Sequence, residues 1–147
     1  MASAHRVTLL TAAFRLLALD HVVLRTADLA RARAFYCEVL GCTVEKWQEP
    51  LGLLQLRAGA ALIDLVTLEG PLGRAGGAAP GPEGRNLDHF CLRIVPFDEP
   101  TLRAHLAAHG VTGGEVAERY GAEGSGPSLY IRDPDGNVVE LKGPPQP

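Results

Sequence analysis

A seven-residue pattern that occurs twice constrains this chain more than any other feature. Residues 19–25 read LDHVVLR and residues 87–93 read LDHFCLR, so five of the seven positions are identical and the copies lie 68 residues apart. In a chain of 147 residues, a doubled element at this spacing predicts two similar halves. If the halves pack about a pseudo-two-fold axis, His21 and His89 face one another across it.

The periodicity of apolar residues predicts the same order of elements, β-α-β-β-β, in both halves, and hence an α+β fold. The first half is predicted to contain strands over 16–26, 42–48, 51–57 and 61–67 and a helix over 29–40, capped by Asp28 and ended by Gly41. The second half is predicted to contain strands over 87–95, 112–118, 128–132 and 137–142, and a helix between Asp98 and Gly110. Residues 121–127 are read as a glycine-rich loop that approaches a ligand or moves over it.

The length predicts a single domain. Its predicted parts are a leader over 1–15 without a firm signal, module one over 16–69, a Gly/Pro/Ala-rich linker over 70–86, module two over 87–143 and a tail over 144–147. Modules and linker together make one domain over 16–143.

Composition excludes several classes of protein. The formal charge is −3 and no run of Lys or Arg occurs, so no nucleic-acid partner is expected. No apolar run approaches the roughly 18 residues that a membrane-spanning helix needs, so no membrane partner is expected. Three cysteines without paired spacing argue against a disulfide framework. A reducing cytoplasm is therefore the expected location.

Two carboxylates lie at equivalent places inside apolar strands. Asp64 stands between Ile63 and Leu65, and Glu140 holds the matching position in the second half. A carboxylate among apolar residues is costly unless something offsets its charge. A divalent cation at the pseudo-axis would bind both carboxylates together with His21 and His89, which are also equivalent. This donor set suits Zn, Ni, Mn, Co or Fe(II).

Each of these residues also has a simpler interpretation. A single histidine at a strand start is often only solvated or hydrogen-bonded, and a carboxylate in an apolar strand can face water at a sheet edge. The fourfold correspondence favours the metal. Cys91 would share the face of His89 and either touch the site or fill a small space in the core.

The chain resembles the vicinal oxygen chelate superfamily, also called the glyoxalase I, bleomycin-resistance and extradiol-dioxygenase superfamily. The resemblance covers about residues 17–143, and it is specific for the superfamily but not for the reaction. The stretches that carry it are LDHVVL at 19–24, AFYCEVLG at 34–41, LDH at 87–89 and DPDGNVVE at 133–140.

The resemblance implies two tandem βαβββ modules that form a cup-shaped, mostly antiparallel sheet with helices outside and a metal on the floor of the cup. The implied metal ligands are His21, Asp64, His89 and Glu140. Asp64 departs from the longer Glu that glyoxalase I-like members usually carry, so its binding directly, through a water or not at all stays open. His21, His89 and Glu140 form the smaller set that three-ligand members use.

Two further residues are candidates for binding a small-molecule substrate. Arg119 would bind an anionic group as a fork, and Tyr130 would donate a hydrogen bond. The alternative for this pair is a surface salt bridge and a packed aromatic ring.

The resemblance implies a metal-dependent lyase or isomerase of the glyoxalase type, with Glu140 as the catalytic base. The metal would chelate two adjacent oxygens of the substrate and stabilise an enediolate-like charge. A non-haem Fe(II) extradiol-type dioxygenase and a metal-free drug- or metabolite-binding resistance protein are the alternatives. A homodimer is expected, and whether one chain or two complete the cup stays open.

Overall fold

The computed structural model describes residues 13–146, which contain eight strands and three α-helices. The strands are β1 (His21–Thr26), β2 (Thr43–Gln48), β3 (Leu53–Ala58), β4 (Ala61–Thr67), β5 (Phe90–Arg93), β6 (Ala117–Gly121), β7 (Gly124–Arg132) and β8 (Val138–Lys142). The α-helices are α1 (Leu29–Ala34), α2 (Pro71–Arg74) and α3 (Glu99–Ala108). Of the predicted leader, residues 1–12 lie outside the described part.

The strands form two mixed four-stranded sheets with the same topology. Their orders are β1-β4-β3-β2 and β5-β8-β7-β6. In each sheet the first strand of the module pairs parallel to the last, and the other two pairings are antiparallel. The α+β class and the repeated, mostly antiparallel modules are therefore confirmed, although within one chain the two sheets stay separate and open instead of forming a continuous cup.

Capping residues begin both long helical segments where the sequence predicts. Asp28 accepts a hydrogen bond from the backbone of Arg31, and Asp98 accepts one from that of Thr101. The predicted helix over 29–40 is not α-helical throughout. Its second part, Phe35–Val39, is a wider π-helical turn in which the Leu40 amide bonds the Phe35 carbonyl.

The stretch before the last hairpin differs from prediction. The strand expected over 112–118 lies at Ala117–Gly121, and the glycine-rich loop expected over 121–127 belongs largely to β6 and β7. Only a tight turn at Ala122 and Glu123 separates these two strands. The prediction of a glycine-rich loop here is wrong, since most of its residues pair as strands. Two of its glycines leave room for a crossing side chain, as described below.

One hydrophobic core joins the two modules. It contains Ile63 and Leu65 of β4 together with Val139 and Leu141 of β8. Because side chains alternate along a strand, the residues between these pairs, Asp64 and Glu140, point to the opposite face of their sheets. Each module therefore turns its polar sheet face away from the shared core.

A buried polar contact also crosses between the modules. The hydroxyl of Tyr36, which is fully buried, donates to Asp133 Oδ2 over 2.7 Å. Asp133 lies in the turn between β7 and β8, where it also accepts hydrogen bonds from the backbone and side chain of Asn137. The Tyr36–Asp133 contact thus ties the π-helical turn of module one to the last hairpin of module two.

Among residues 13–146, no helix is long and apolar enough to cross a membrane.

Candidate metal centre

Module one places a histidine and a carboxylate on the open face of its sheet. Val23 pairs with Asp64 in the parallel β1–β4 ladder, so His21, two residues before Val23, is a diagonal neighbour of Asp64 on the same face. Asp64 is 3% exposed. Its Oδ2 accepts a hydrogen bond from Gln55 Nε2 over 3.2 Å, whereas its Oδ1 is buried without a hydrogen-bond partner among the described residues.

His21 is held by the residue before it. Its Nδ1 lies 2.6 Å from Asp20 Oδ1. This hydrogen bond, together with the negative charge of Asp64, raises the pKa of His21 above its ordinary value of 6.5, although partial desolvation opposes the shift. With Nδ1 engaged by a carboxylate, Nε2 is the nitrogen left for a further partner.

Module two repeats this arrangement with a closer pair. His89 Nε2 lies 3.9 Å from Glu140 Oε2, and its Nδ1 lies 2.7 Å from Asp88 Oδ2. Glu140 is 7% exposed, and its Oε1 accepts a hydrogen bond from Ser128 Oγ over 2.8 Å. Both modules therefore present an imidazole whose Nδ1 is held by the preceding Asp, beside a buried carboxylate.

These residues fit a divalent metal ion. An imidazole that ligates through Nε2 normally gives its other nitrogen to a carboxylate or carbonyl group, which fixes its tautomer and its orientation. Asp20 and Asp88 occupy that position for the two histidines. The buried Oδ1 of Asp64 lacks the partner that a buried polar atom requires, and a cation would supply it.

Arg119 and Tyr130 lie beside the pair in module two. The Tyr130 ring meets the His89 ring edge to face, with centroids 5.2 Å apart. The Arg119 guanidinium lies over the Tyr130 ring, 4.5 Å from its centroid. Its Nη1 donates hydrogen bonds to the carbonyl and hydroxyl oxygens of Ser128. Both residues thus lie next to Glu140. Tyr130 is its partner in the β7–β8 ladder, and Arg119 is linked to it through Ser128.

Cys91 lies next to the pair as well. It is opposite Glu140 in the β5–β8 ladder and is exposed. Desolvation of its sulfur and the hydrogen bond to Glu140 raise the pKa of the thiol to about 12. Without a bound metal ion, the thiol is therefore protonated near neutral pH.

The four predicted ligands are brought together in pairs, one pair in each module. No three His, Cys, Asp or Glu side chains within residues 13–146 form a group that could hold a metal ion. The side chains of His21 and His89 are 46% and 34% exposed, so each pair remains accessible from outside the chain.

Four residues around these pairs were not singled out by the sequence analysis. Asp20 and Asp88 hold the histidines, and Gln55 and Ser128 hold the carboxylates. The Asp-His dipeptide is part of the repeated heptapeptide, so the repeat already carried the signal for the first two. Gln55 and Ser128 stand at different places in their hairpins, and only the strand register reveals their roles.

Known proteins are similar to this chain in both sequence and fold. Residues 18–141 match the Glyoxalase/Bleomycin resistance protein/Dioxygenase superfamily. The virulence protein STM3117 of Salmonella typhimurium is 32% identical over 124 residues, which cover 84% of this chain and 81% of that protein. Its crystal structure superposes with a TM-score of 0.71 at 26% identity, covering 90% of this chain and 100% of that one.

Two further proteins, one from a fungus and one from a bacterium, are also similar to this chain. The glyoxalase domain-containing protein RDO1 of Mycosarcoma maydis is 31% identical over 84% of this chain and 66% of that protein. The crystal structure of lactoylglutathione lyase from Agrobacterium tumefaciens superposes with a TM-score of 0.60 at 26% identity, covering 86% of this chain and 92% of that one. With its repeated modules and its match over residues 18–141, this chain belongs to the Glyoxalase/Bleomycin resistance protein/Dioxygenase superfamily.

Proposed function

We propose that this protein is a divalent-metal-dependent enzyme of the glyoxalase type, a lyase or isomerase that acts on a small substrate with two adjacent oxygens. The observation that carries the proposal is the repeated pair, a histidine with Nε2 free for a metal beside a buried carboxylate on the open face of each sheet. The similarity to a lactoylglutathione lyase supports this reaction class.

The residues that would hold the metal are His21, Asp64, His89 and Glu140. Two imidazoles and two carboxylates suit Zn, Ni, Mn, Co or Fe(II). The chemistry supplied at such a site is polarisation of two adjacent substrate oxygens and stabilisation of the enediolate-like charge that follows loss of a proton.

Glu140 is the proposed base. Its carboxylate is buried, which removes competing water, and Ser128 Oγ fixes one oxygen while the other faces His89. Arg119 in turn positions Ser128 through two hydrogen bonds from one nitrogen, Nη1. The other oxygen, Oε2, would hold the metal, and it would take a proton from the substrate carbon when Glu140 is released from the metal.

We further propose that two copies of the chain share each metal site, with one His–carboxylate pair from module one of one copy and one from module two of the other. Within the described residues the pairs stay apart, and each lies on a sheet face turned away from the core of its own chain. A second copy that covers these faces would complete the four-ligand set. The apolar side chain of Val23, 49% exposed beside Asp64, would be covered as well.

The role of Glu140 predicts a sharp loss of proton transfer in Glu140→Gln. We expect the variant to exchange the α-proton of a responsive α-hydroxycarbonyl substrate for solvent deuterium at least about 100-fold more slowly than wild type, because the amide does not accept the proton. Proton NMR of a substrate panel in deuterium oxide measures this rate.

Glu118→Gln is the matched control, since Glu118 is an exposed residue of the edge strand β6 in the same sheet. It should exchange the proton at the wild-type rate. Wild-type exchange in Glu140→Gln would exclude Glu140 as the base, and absence of exchange by the wild-type protein across the panel would refute the lyase or isomerase assignment.

A further inference from the structure

We propose that Lys142 binds an oxyanion group of the substrate, carboxylate or phosphoryl, next to the candidate metal centre. The inference deepens the function proposed above and depends on it for the reaction, but the binding of an anion by Lys142 can be tested separately. Its basis is a buried cation that lacks a counter-charge.

Lys142 lies at the end of β8 and is only 6% exposed. Its ammonium forms neither a hydrogen bond nor an ion pair with any side chain in the described part of the protein. Lysine is almost never so buried unless it is paired, because removing an ammonium from water is costly. The burial of an unpaired ammonium therefore indicates a binding site for an anion.

Two glycines make room for this side chain. A Cβ at Gly121 would lie 2.9 Å from Lys142 Cε, and a Cβ at Gly126 would lie 2.9 Å from Nζ. Both distances are below ordinary contact, so a larger residue at Gly121 would displace the lysine, and one at Gly126 would also meet the Pro144 carbonyl oxygen at 2.6 Å. The side chain of Lys142 thus extends from β8 across the face of β7 and β6 and packs against these two glycines.

The lysine opens into a cavity of about 260 Å³ that it shares with Glu140. The other charged groups there are already engaged. Arg93 Nε bonds Glu123 Oε1 over 2.8 Å, and Glu140 is held by Ser128 and faces His89. With Arg93 paired to Glu123, and with Glu140 assigned to the proposed metal ion, Lys142 is the cation in the cavity without a partner, and the favourable occupant is a small anion.

Comparison of the two modules shows that the fold does not require a lysine here. The position of module one that corresponds to Lys142 is Val66, two residues after Asp64, and it is apolar and 2% exposed. Val66 pairs with Arg25 and Leu53 in the same registers in which Lys142 pairs with Arg93 and Ser128. An apolar residue satisfies the sheet at this point, so the lysine in module two indicates a function.

The position of Lys142 relative to Glu140 defines what it would bind. The two residues are separated by one position on β8 and share a face, which places them about 7 Å apart along the strand. An anionic group at Lys142 would therefore lie within one short molecule of atoms at Glu140. The expected substrate is a small oxygenated compound with an acidic group at one end.

The test uses the fact that this chain contains only two lysines, Lys46 and Lys142. Protein labelled with ¹³C at the lysine ε-carbon should show one ε-CH₂ signal for each, assigned with Lys46→Met. We expect inorganic phosphate and acetate to shift the Lys142 signal saturably, at least about fivefold more than that of exposed Lys46, since only the buried ammonium pairs closely with the anion. Acetamide, the neutral analogue of acetate, should shift neither.

The titration is run at constant ionic strength on the protein as purified and again after removal of metal with EDTA. Equal shifts of both lysines, or no shift of Lys142 with either anion in both preparations, would overturn the proposal. A Lys142 response in a protein that binds no metal would uphold the anion site and refute the metal-dependent reaction instead. Isothermal titration calorimetry with phosphate extends the test to variants without the Lys142 signal: Lys142→Arg, which keeps the charge, should retain phosphate binding, whereas Lys142→Met should lose it.

Discussion

An isolated mixed dimer of one His21→Ala chain and one His89→Ala chain is expected to bind about half as much metal as the wild-type dimer, although each variant alone binds almost none. A mixed dimer contains one site that lacks both histidines and one site that is intact, if each site combines module one of one copy with module two of the other. Removal of one ligand from a four-ligand site should lower metal affinity by at least about 100-fold, since even loss of a supporting residue around such ligands costs 10- to 100-fold.

The reciprocal experiment gives the opposite outcome. A chain that carries both substitutions, paired with a wild-type chain, should bind almost no metal in the shared arrangement, because each site then lacks one histidine. If each chain formed its own site, this dimer would keep half of the metal and the His21→Ala/His89→Ala dimer would keep none. Dimers isolated through two different peptide tags without histidine, followed by metal analysis, separate the two arrangements.

Tyr36→Phe is expected to destabilise the protein by about 1.5–3 kcal/mol, because it removes a buried hydrogen bond to a carboxylate. Tyr36 is fully buried and donates to Asp133 over 2.7 Å. Urea denaturation at pH 7 measures the loss. Tyr120→Phe is the matched control, since Tyr120 is 85% exposed and should change stability little.

This prediction has a pH dependence with a definite sign. Burial and the negative charge of Asp133 raise the pKa of Tyr36 well above its ordinary value of 10.0. Above pH 10 the unfolded chain therefore loses this proton while the folded protein keeps it, so wild-type stability falls as pH rises. The difference between wild type and Tyr36→Phe should shrink between pH 9 and pH 11. A Tyr36→Phe protein as stable as Tyr120→Phe at pH 7 would contradict this view of the contact.

Much of the architecture could be predicted because the repeat carries it. The strand Ala61–Thr67 lies where the sequence predicts it, and Gly59 occupies the turn before it with a positive φ of 60°. Local signals such as the caps Asp28 and Asp98 also work, since a cap acts on the residues next to it. These features depend on neighbours in sequence, which a single sequence displays.

What depends on contacts distant in sequence could not be predicted. Gly121 and Gly126 were read as loop residues, but they lie in the β6–β7 ladder, where they leave room for the side chain of Lys142. The same holds for the polar shell of the site. Gln55 reaches Asp64 across one hairpin and Ser128 reaches Glu140 across the other, and neither contact has a signature in local composition.

The central claim is that the paired histidines and carboxylates hold a metal, and the metal content of untagged protein tests it most directly. Inductively coupled plasma mass spectrometry should find about one equivalent of a divalent transition metal per chain, as purified or after incubation with Zn, Mn, Ni or Fe(II), because the donor set suits these ions. A folded protein that takes up none of them would contradict the account. Its open sheet faces would then belong to a metal-free binding protein.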